Sequence, residues 1–257
     1  MSADPLIAEA RGPLLALTIN RPEKFNPLSR EVLFGIRDRL RAVAQQPEIR
    51  VVTIRGAGDR YFAAGGDLRD LAAVRSDAAT NAMVEECRDA LDAVRFCPVP
   101  VVAVLNGDAI GGGAELAVAC DFRVMREGAH LGFIHGRLAI TAAWGGAADL
   151  YTLVGRARAL RMTTRAEPIP AALALDWGLA DVVRPASELD SGVDEFIAPM
   201  LRQSAVVLRA FKHQAIAARR GLSYDERRAE EQAQLVATWT HDDHWAAVDR
   251  ILSPRKQ

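Results

Sequence analysis

The sequence predicts an α/β protein with a mostly parallel sheet and a helical C-terminal region. Short apolar runs alternate with segments of helical periodicity, two glycine-rich loops each follow an apolar run, and the pattern becomes mainly helical after Trp144. With 257 residues, half of them hydrophobic, the chain can bury a large core. We predict a βα core at residues 1–189 and the helical region at residues 190–257.

The predicted core begins with a hairpin, a helix and a buried strand. Residues 6–9 and 14–19 alternate apolar and polar side chains on either side of a Gly-Pro turn. Ser29 can cap a helix that ends before Pro47. The apolar positions that recur at helical spacing in it are Leu33, Ile36, Leu40 and Val43. Residues 51–55 then form a short apolar strand.

The remaining elements continue the alternation of strand and helix. Further strands are predicted at residues 100–105, 122–125 and 130–133. Helices are predicted at residues 67–74, 77–96 and 113–120, and the two glycine-bearing loops at residues 56–66 and 106–113. The helical part that follows has stops near Gly155, Pro168, Gly178 and Gly221.

Composition and charge argue against several classes of protein. The formal net charge is −1, with 32 Lys and Arg against 33 Asp and Glu, so no positive field gathers nucleic acid. The cysteines, Cys87, Cys97 and Cys120, have no paired spacing and no accompanying His cluster. We therefore expect no disulfide framework, no metal site and a reduced, cytoplasmic compartment. Neither a secretory leader nor a membrane span is expected from the apolar runs.

Two glycine segments connect the end of a strand to the start of a helix. Gly65-Gly66 and Gly111-Gly112-Gly113 let the backbone approach a ligand closely, and a helix N-terminus favours negative charge. Two N–H groups that converge there would form an oxyanion hole. Alternatively, each segment is a tight turn that needs glycine for steric reasons alone. Neither has the glycine and lysine pattern of a nucleotide phosphate loop.

Several motifs, taken together, resemble the crotonase superfamily, that is, the enoyl-CoA hydratase/isomerase family. They are NRPEKFNPLS at 20–29, AGGDL at 64–68, NG at 106–107 with GGGAEL at 111–116, DFR at 121–123, and AALALDWGLADVV at 171–183. The resemblance covers nearly the whole chain. It implies a ββα spiral core, an acyl-CoA thioester substrate, no cofactor besides the coenzyme A of that substrate, and a homotrimer or dimer of trimers.

The same resemblance assigns the catalytic groups. It implies that the backbone N–H groups of Gly66 and Gly112 hold the thioester carbonyl as it gains enolate character. Glu115 matches one of the two glutamates that flank water in family hydratases. His135 stands where the second glutamate is expected, and its surroundings resemble the ethylmalonyl-CoA decarboxylase branch. There, a carboxylate on the α-carbon leaves as CO2 while the oxyanion hole holds the enolate.

Three hypotheses about function are consistent with the sequence. The first is a decarboxylase of short malonyl-type acyl-CoA esters that uses His135 together with Glu115. The second is an enoyl-CoA hydratase of fatty-acid β-oxidation that relies on Glu115. The third is a non-catalytic scaffold or RNA binder, against which the near-neutral charge and both glycine loops argue. Independently of family, a single histidine such as His135 can also be a packed or surface residue.

The resemblance also implies residues that hold the substrate. Lys24, Lys212 and Arg69 match or lie beside family positions near the coenzyme A moiety, although each could equally be a solvated charge. Trp144 is either a wall of the acyl pocket or part of the core. The other residues assigned to substrate binding by position are Phe25, Ala64, Gly66, Asp67, Leu68 and Gly112.

Overall fold

The structure, a computed structural model, describes residues 4–253, and this part of the chain contains ten strands and ten α-helices. The strands are β1 Leu6–Arg11, β2 Leu14–Ile19, β3 Val51–Gly56, β4 Tyr61–Ala63, β5 Val101–Leu105, β6 Asp108–Ile110, β7 Phe122–Arg126, β8 His130–Gly132, β9 Ile169–Pro170 and β10 Val182–Arg184. The helices are α1 Arg30–Ala42, α2 Leu68–Leu71, α3 Asp77–Arg95, α4 Gly112–Ala119, α5 Gly146–Arg165, α6 Ala171–Asp176, α7 Leu189–Leu201, α8 Ala205–Arg219, α9 Tyr224–Trp239 and α10 Asp242–Leu252. Residues 254–257 of the predicted helical region lie outside the described residues.

The strands form two sheets. The larger has the order β1-β2-β3-β5-β7-β10, and the smaller has the order β4-β6-β8-β9. In the larger sheet only the β1–β2 pair is antiparallel, which confirms the predicted hairpin and the mostly parallel sheet. The apolar strands β3 and β5 lie in the interior of this sheet, where both faces are covered.

A repeated ββα unit generates both sheets. In β3-β4, β5-β6 and β7-β8, the first strand joins the larger sheet and the second joins the smaller one. The helix of the first unit is α3, which follows the short α2, and the helices of the second and third units are α4 and α5. The parallel pairing of successive units stacks them side by side, so the chain winds as the predicted ββα spiral.

Several predicted boundaries differ from the structure. The strands β4 and β6 were predicted to be parts of the glycine-bearing loops, because three residues carry too little periodicity to indicate a strand. The helix predicted at 67–74 is the single turn α2, which begins after Asp67. The stops near Gly155, Gly178 and Gly221 are confirmed, since all three adopt positive φ at helix breaks or ends.

The C-terminal helices differ in how much surface they bury. Helix α7 places Leu189, Val193 and Ile197 against Val51, Val102 and their neighbours in a second core, so it packs on the larger sheet. Helices α9 and α10 contain no buried residue. Their exposed apolar side chains include Leu235, Val236, Trp239, Trp245, Ile251 and Leu252. No described helix has both the length and the apolar character needed to cross a bilayer.

Two buried asparagines hold the segment between β3 and β4. The Asn106 carboxamide accepts a hydrogen bond from Gly56 N at 3.0 Å and donates to the carbonyls of Gly56 and Gly58 at 2.9 and 2.7 Å. Asn26 donates to the carbonyls of Ala57 and Tyr61 at 2.9 and 2.8 Å. These bonds satisfy backbone groups of the loop and fix where β4 begins.

Asn106→Ala is expected to lower the free energy of unfolding by about 1 to 3 kcal/mol, because it removes the side-chain partner of the buried Gly56 N–H and carbonyl groups. Urea denaturation followed by circular dichroism measures this change. Asn81→Ala, at an exposed position of α3, is the matched control and should change stability by less than about 0.5 kcal/mol. Equal stability of the two variants would contradict the role given to Asn106.

Candidate active site

Three chain segments meet at the carboxyl edge of the smaller sheet. Strand β4 pairs in parallel with β6, with Ala63 opposite Ala109. Strand β6 pairs in parallel with β8, with Ile110 opposite Gly132. Carboxyl ends of parallel strands lie at the same edge of a sheet, so the residues that follow them are neighbours. These residues are the two glycine segments and the stretch that carries His135.

The two glycine segments lie against each other. A Cβ atom built on Gly65 would lie 3.5 Å from Gly112 N and 3.9 Å from the Gly111 Cα. Among residues 4–253, neither Gly66 N nor Gly112 N donates a hydrogen bond. Gly112 is also the first residue of α4, where the helix dipole favours negative charge. The pair can therefore donate to an oxyanion.

The indole of Trp144 covers both glycines. A Cβ on Gly112 would come within 2.3 Å of Trp144 Cζ3, and one on Gly66 within 3.2 Å of Trp144 Cη2. No other residue fits at position 112 unless the indole moves. Trp144 is buried, and it belongs both to the main core and to the wall of a cavity. The pocket wall and the core, which the sequence left as alternatives for Trp144, are therefore both part of its surroundings.

Glu115 is a buried carboxylate in the first turn of α4. Its Oε2 accepts hydrogen bonds from the backbone N–H groups of Trp144 at 2.9 Å and Gly146 at 3.0 Å. Its Oε1 lies 3.1 Å from His135 Nε2. Because a buried carboxylate is costly unless it is hydrogen-bonded, these partners explain how Glu115 is tolerated there. They also set its orientation.

The two candidate acid/base residues line one cavity. It has a volume of about 800 Å³ and contains Ala64, Gly66, Gly112 and Leu68 in its wall. Among its described lining residues, Glu115 and His135 are the only ionisable side chains. The rest of the wall is mainly apolar and includes Leu71, Met83, Val84, Ile110, Ile134, Leu138 and Ile140. Concave apolar sites with few polar groups are typical of small-molecule binding.

Lys212, which the resemblance assigns to coenzyme A, lies outside the cavity wall. The side chain is buried, and Nζ donates to both carboxylate oxygens of Asp121, at 2.5 and 2.6 Å. Asp121 Oδ2 also accepts from the N–H of Val101, so this ion pair ties α8 to the start of β5. The ion pair accounts for the burial of this ammonium group, and its contact with coenzyme A stays a prediction.

The Asp67 carboxylate, which the resemblance assigns to substrate binding, makes two contacts within the chain. It caps α2 by accepting from Arg69 N at 3.1 Å, and it pairs with Arg21 at 2.8 Å. Burial alone would raise the pKa of this carboxyl. The hydrogen bonds from Arg21 and Arg69 and the charges of Arg21 and Lys24 outweigh burial, so the pKa lies below its usual value.

The remaining predicted binding residues lie outside the cavity wall. Lys24 and Arg69 are exposed, in the turn before Phe25 and in α2. Phe25 is partly exposed and packs against Tyr61 with a ring-centroid distance of 5.0 Å, and the Arg60 guanidinium lies 4.8 Å above its ring. Phe25 N donates to the Pro22 carbonyl within its own turn, and the Phe25 carbonyl accepts from Ala64 N beside the first glycine segment.

The cysteines carry no nucleophile for this site. All three are free and buried. Burial raises the pKa of Cys87 to about 12, of Cys97 to about 11 and of Cys120 to about 12. The thiols are therefore protonated near neutral pH.

Sequence reasoning missed a buried charged group behind the site. Arg95, at the end of α3, donates to the Trp144 carbonyl at 3.0 Å and pairs with Asp149 at 2.8 Å. Its spacing in the sequence could have indicated that Arg95 is buried, because Arg95 lies four residues after Leu91 and therefore on the same buried face of the helix. A charge on such a face needs a partner, but the sequence does not reveal that the partner lies 54 residues away.

Known proteins are similar to this chain over most of its length. The chain is 30% identical to the ethylmalonyl-CoA decarboxylase of Xenopus laevis over 218 residues, which cover 84% of this chain and 73% of that protein. It is 33% identical to the crotonyl-CoA hydratase of Syntrophomonas wolfei over 234 residues, which cover 89% of this chain and 86% of that protein.

Solved structures have the same fold. An enoyl-CoA hydratase from Bacillus anthracis superposes with a TM-score of 0.90 at 27% identity and covers 96% of this chain and 95% of its own. A protein described as a putative enoyl-CoA hydratase from Thermobifida fusca, solved in complex with CoA, has a TM-score of 0.82 at 26% identity and covers 92% and 93%. The sequence model described as enoyl-CoA hydratase/isomerase matches residues 9–256. The chain therefore belongs to the enoyl-CoA hydratase/isomerase family, also called the crotonase superfamily.

Proposed function

We propose that this enzyme decarboxylates a short malonyl-type acyl-CoA, such as ethylmalonyl-CoA or methylmalonyl-CoA, without a further cofactor. The observation that carries the proposal is the pair formed by Glu115 and His135, whose facing atoms are 3.1 Å apart in the wall of the cavity. A histidine at this position can bind and protonate, whereas a second carboxylate would repel the anionic substrate. The Xenopus relative named ethylmalonyl-CoA decarboxylase supports this choice.

In the proposed reaction, the thioester oxygen accepts hydrogen bonds from Gly66 N and Gly112 N. The bond between the α-carbon and the carboxylate breaks, CO2 leaves, and the electron pair forms an enolate whose negative charge lies on that oxygen. The α-carbon then takes a proton from His135, which regains it from water. One oxyanion donor contributes about 3 to 4 kcal/mol in related enzymes, so two can supply much of the barrier reduction.

Glu115 and His135 have different roles in this scheme. Both Glu115 oxygens already have partners, Oε2 with two backbone N–H groups and Oε1 with His135. Glu115 therefore orients the imidazole through Nε2. Among residues 4–253, His135 Nδ1 has no hydrogen bond, which leaves it for the substrate. This arrangement of a carboxylate that orients a histidine is common in acid/base sites.

Hydration of a short enoyl-CoA is the second candidate. Glu115 is the carboxylate that would activate water, and the crotonyl-CoA hydratase of Syntrophomonas wolfei is 33% identical. In that reaction, His135 would act as the partner of Glu115 instead of holding a substrate carboxylate. Both candidates use the same pair of N–H donors, so they differ only in the bond that reacts.

We also propose how the substrate is held and how the chains assemble. Lys24 and Arg69 contact phosphates of coenzyme A, for which the CoA complex of the Thermobifida protein is the supporting analogy.

Exposed apolar side chains on α9 and α10 pack between copies in a trimer or a dimer of trimers. Sedimentation velocity tests the assembly, and a monomer at micromolar concentration would contradict it.

The first functional prediction is that the wild-type enzyme releases CO2 from ethylmalonyl-CoA or methylmalonyl-CoA faster than it hydrates crotonyl-CoA. His135→Glu should lower decarboxylation by about 10²- to 10⁴-fold, because it removes the proton donor and adds a repelling charge. Hydration of crotonyl-CoA should rise in the same variant, since water can be held between two carboxylates. Mass spectrometry of the thioester products measures both reactions.

The matched control for this prediction is His130→Ala, which removes a histidine outside the cavity and should leave both activities within about threefold of wild type. His135→Ala should lose decarboxylation without a gain in hydration. If folded His135→Ala and His135→Glu both keep every activity of the wild type, His135 is structural and the decarboxylase proposal fails.

A second prediction concerns the phosphates. Lys24→Ala or Arg69→Ala should each weaken the binding of butyryl-CoA by about fivefold at low ionic strength, and by less at 1 M salt. Isothermal titration calorimetry measures the Kd. Arg39→Ala removes an exposed positive charge of α1 and serves as the control, with no expected change. A Kd that ignores both salt and these substitutions would argue against phosphate contacts at Lys24 and Arg69.

A further inference from the structure

The loop Trp144-Gly145-Gly146 connects the cavity to buried charges behind it. On its cavity side, the N–H groups of Trp144 and Gly146 donate to Glu115, and the indole covers the two oxyanion donors. Gly146 also packs directly on Glu115, since a Cβ there would come within 2.6 Å of the Glu115 Cα, Cβ and Cγ. The position of this loop therefore decides where the Glu115 carboxylate points.

Arg95 holds the opposite side of the same loop. Its Nη2 donates to the Trp144 carbonyl at 3.0 Å. Its guanidinium lies against Gly145, where a Cβ would come within 2.7 Å of Nη2 and 2.9 Å of Cζ. Gly145 has φ +90, a conformation that suits glycine, and the missing side chain lets the guanidinium approach. Arg95 and Glu115 thus hold the loop between them.

The guanidinium is itself fixed by two carboxylates. Nε donates to Asp149 at 2.8 Å, and Nη1 donates to Asp92 at 2.9 Å. Asp149 is buried and lies 3.5 Å from Arg219 of α8, whose other nitrogen donates to the Ala119 carbonyl at the end of α4. Asp92, in contrast, is about half exposed. Asp149 is therefore the buried anchor of Arg95, and Asp92 is an outer contact.

We propose that Arg95 is a positioning residue for the Glu115–His135 pair. It acts through the Trp144-Gly145-Gly146 loop, which it holds so that two N–H groups orient Oε2 of Glu115 and Oε1 faces His135. Arg95 does not line the cavity, so it does not touch the substrate. The catalytic part of this inference rests on the proposed function, whereas the contact between Arg95 and the loop does not. An oriented carboxylate matters because a displacement of about 1 Å can cost about 10²-fold in rate.

The first test observes the loop directly. Tryptophan labelled with ¹⁵N gives one backbone amide signal for each of the four tryptophans, and Trp144→Phe identifies the signal of Trp144. Arg95→Lys keeps a positive charge but loses the planar fork that reaches Trp144, Asp149 and Asp92 together. It should shift the Trp144 amide signal, because the hydrogen bond to Glu115 changes. Asp92→Asn, the control, removes only the outer contact and should leave the signal in place.

The second test separates positioning from general loss of stability. Arg95→Lys should lower kcat by about 10²-fold with little change in KM, for whichever thioester the wild type converts. In a Glu115→Gln background, the same substitution should cost less than about threefold, because the group that it positions has already been changed. Equal losses of kcat in both backgrounds, or an unmoved Trp144 signal in folded Arg95→Lys, would overturn the proposal.

Two further outcomes are informative. If Arg95→Lys does not fold, Asp149→Asn replaces it, because this change loosens the guanidinium without removing it and should shift the Trp144 signal in the same way. An unmoved signal there would also overturn the proposal. If the wild type converts no acyl-CoA at all, the proposed function fails, while the amide signal still decides whether Arg95 holds the loop.

Discussion

The parallel pairing of β4, β6 and β8 is the constraint on which the site depends. It brings the residues after Ala63, Ile110 and Gly132 to one edge of the smaller sheet. A shift of one residue in the β4–β6 or the β6–β8 pairing would displace the loop that follows the shifted strand. The N–H groups of Gly66 and Gly112 would then move apart. Asn106 and Asn26 fix the approach to β4, and Gly113 lets α4 pack against the Ala63 carbonyl, so the fold enforces this register.

A second requirement is electrostatic, because the site contains a buried carboxylate. Glu115 is compensated by two backbone N–H groups and His135. The same helix that carries Glu115 begins at Gly112, so its dipole favours the carboxylate and the oxyanion alike. The wall of the cavity around these groups is mainly apolar, and a low local dielectric strengthens electrostatic interactions.

Much of the fold and part of the site could be predicted from local signals. Periodicity indicated the main strands and helices, and the glycine segments indicated two close turns at strand ends, because these features depend on neighbouring residues. The ion pairs of Lys212, Asp67 and Arg95 could not be predicted, for the opposite reason. Their partners, Asp121, Arg21 and Asp149, are separated from them by 91, 46 and 54 residues, and no local pattern reveals such pairs. The strands β4, β6, β9 and β10 were missed because two or three residues have almost no pattern of their own.

The central claim is that Gly66 and Gly112 polarise a bound thioester carbonyl. The most direct measurement is the ¹³C NMR signal of butyryl-CoA labelled at the thioester carbonyl, recorded as the ligand is titrated to saturation with the enzyme. Two hydrogen bonds from backbone N–H groups should withdraw electron density from this carbon and move its signal downfield in the complex. A carbonyl signal that stays at its free position when binding is saturated would show that no oxyanion hole acts on the thioester, and would contradict the account.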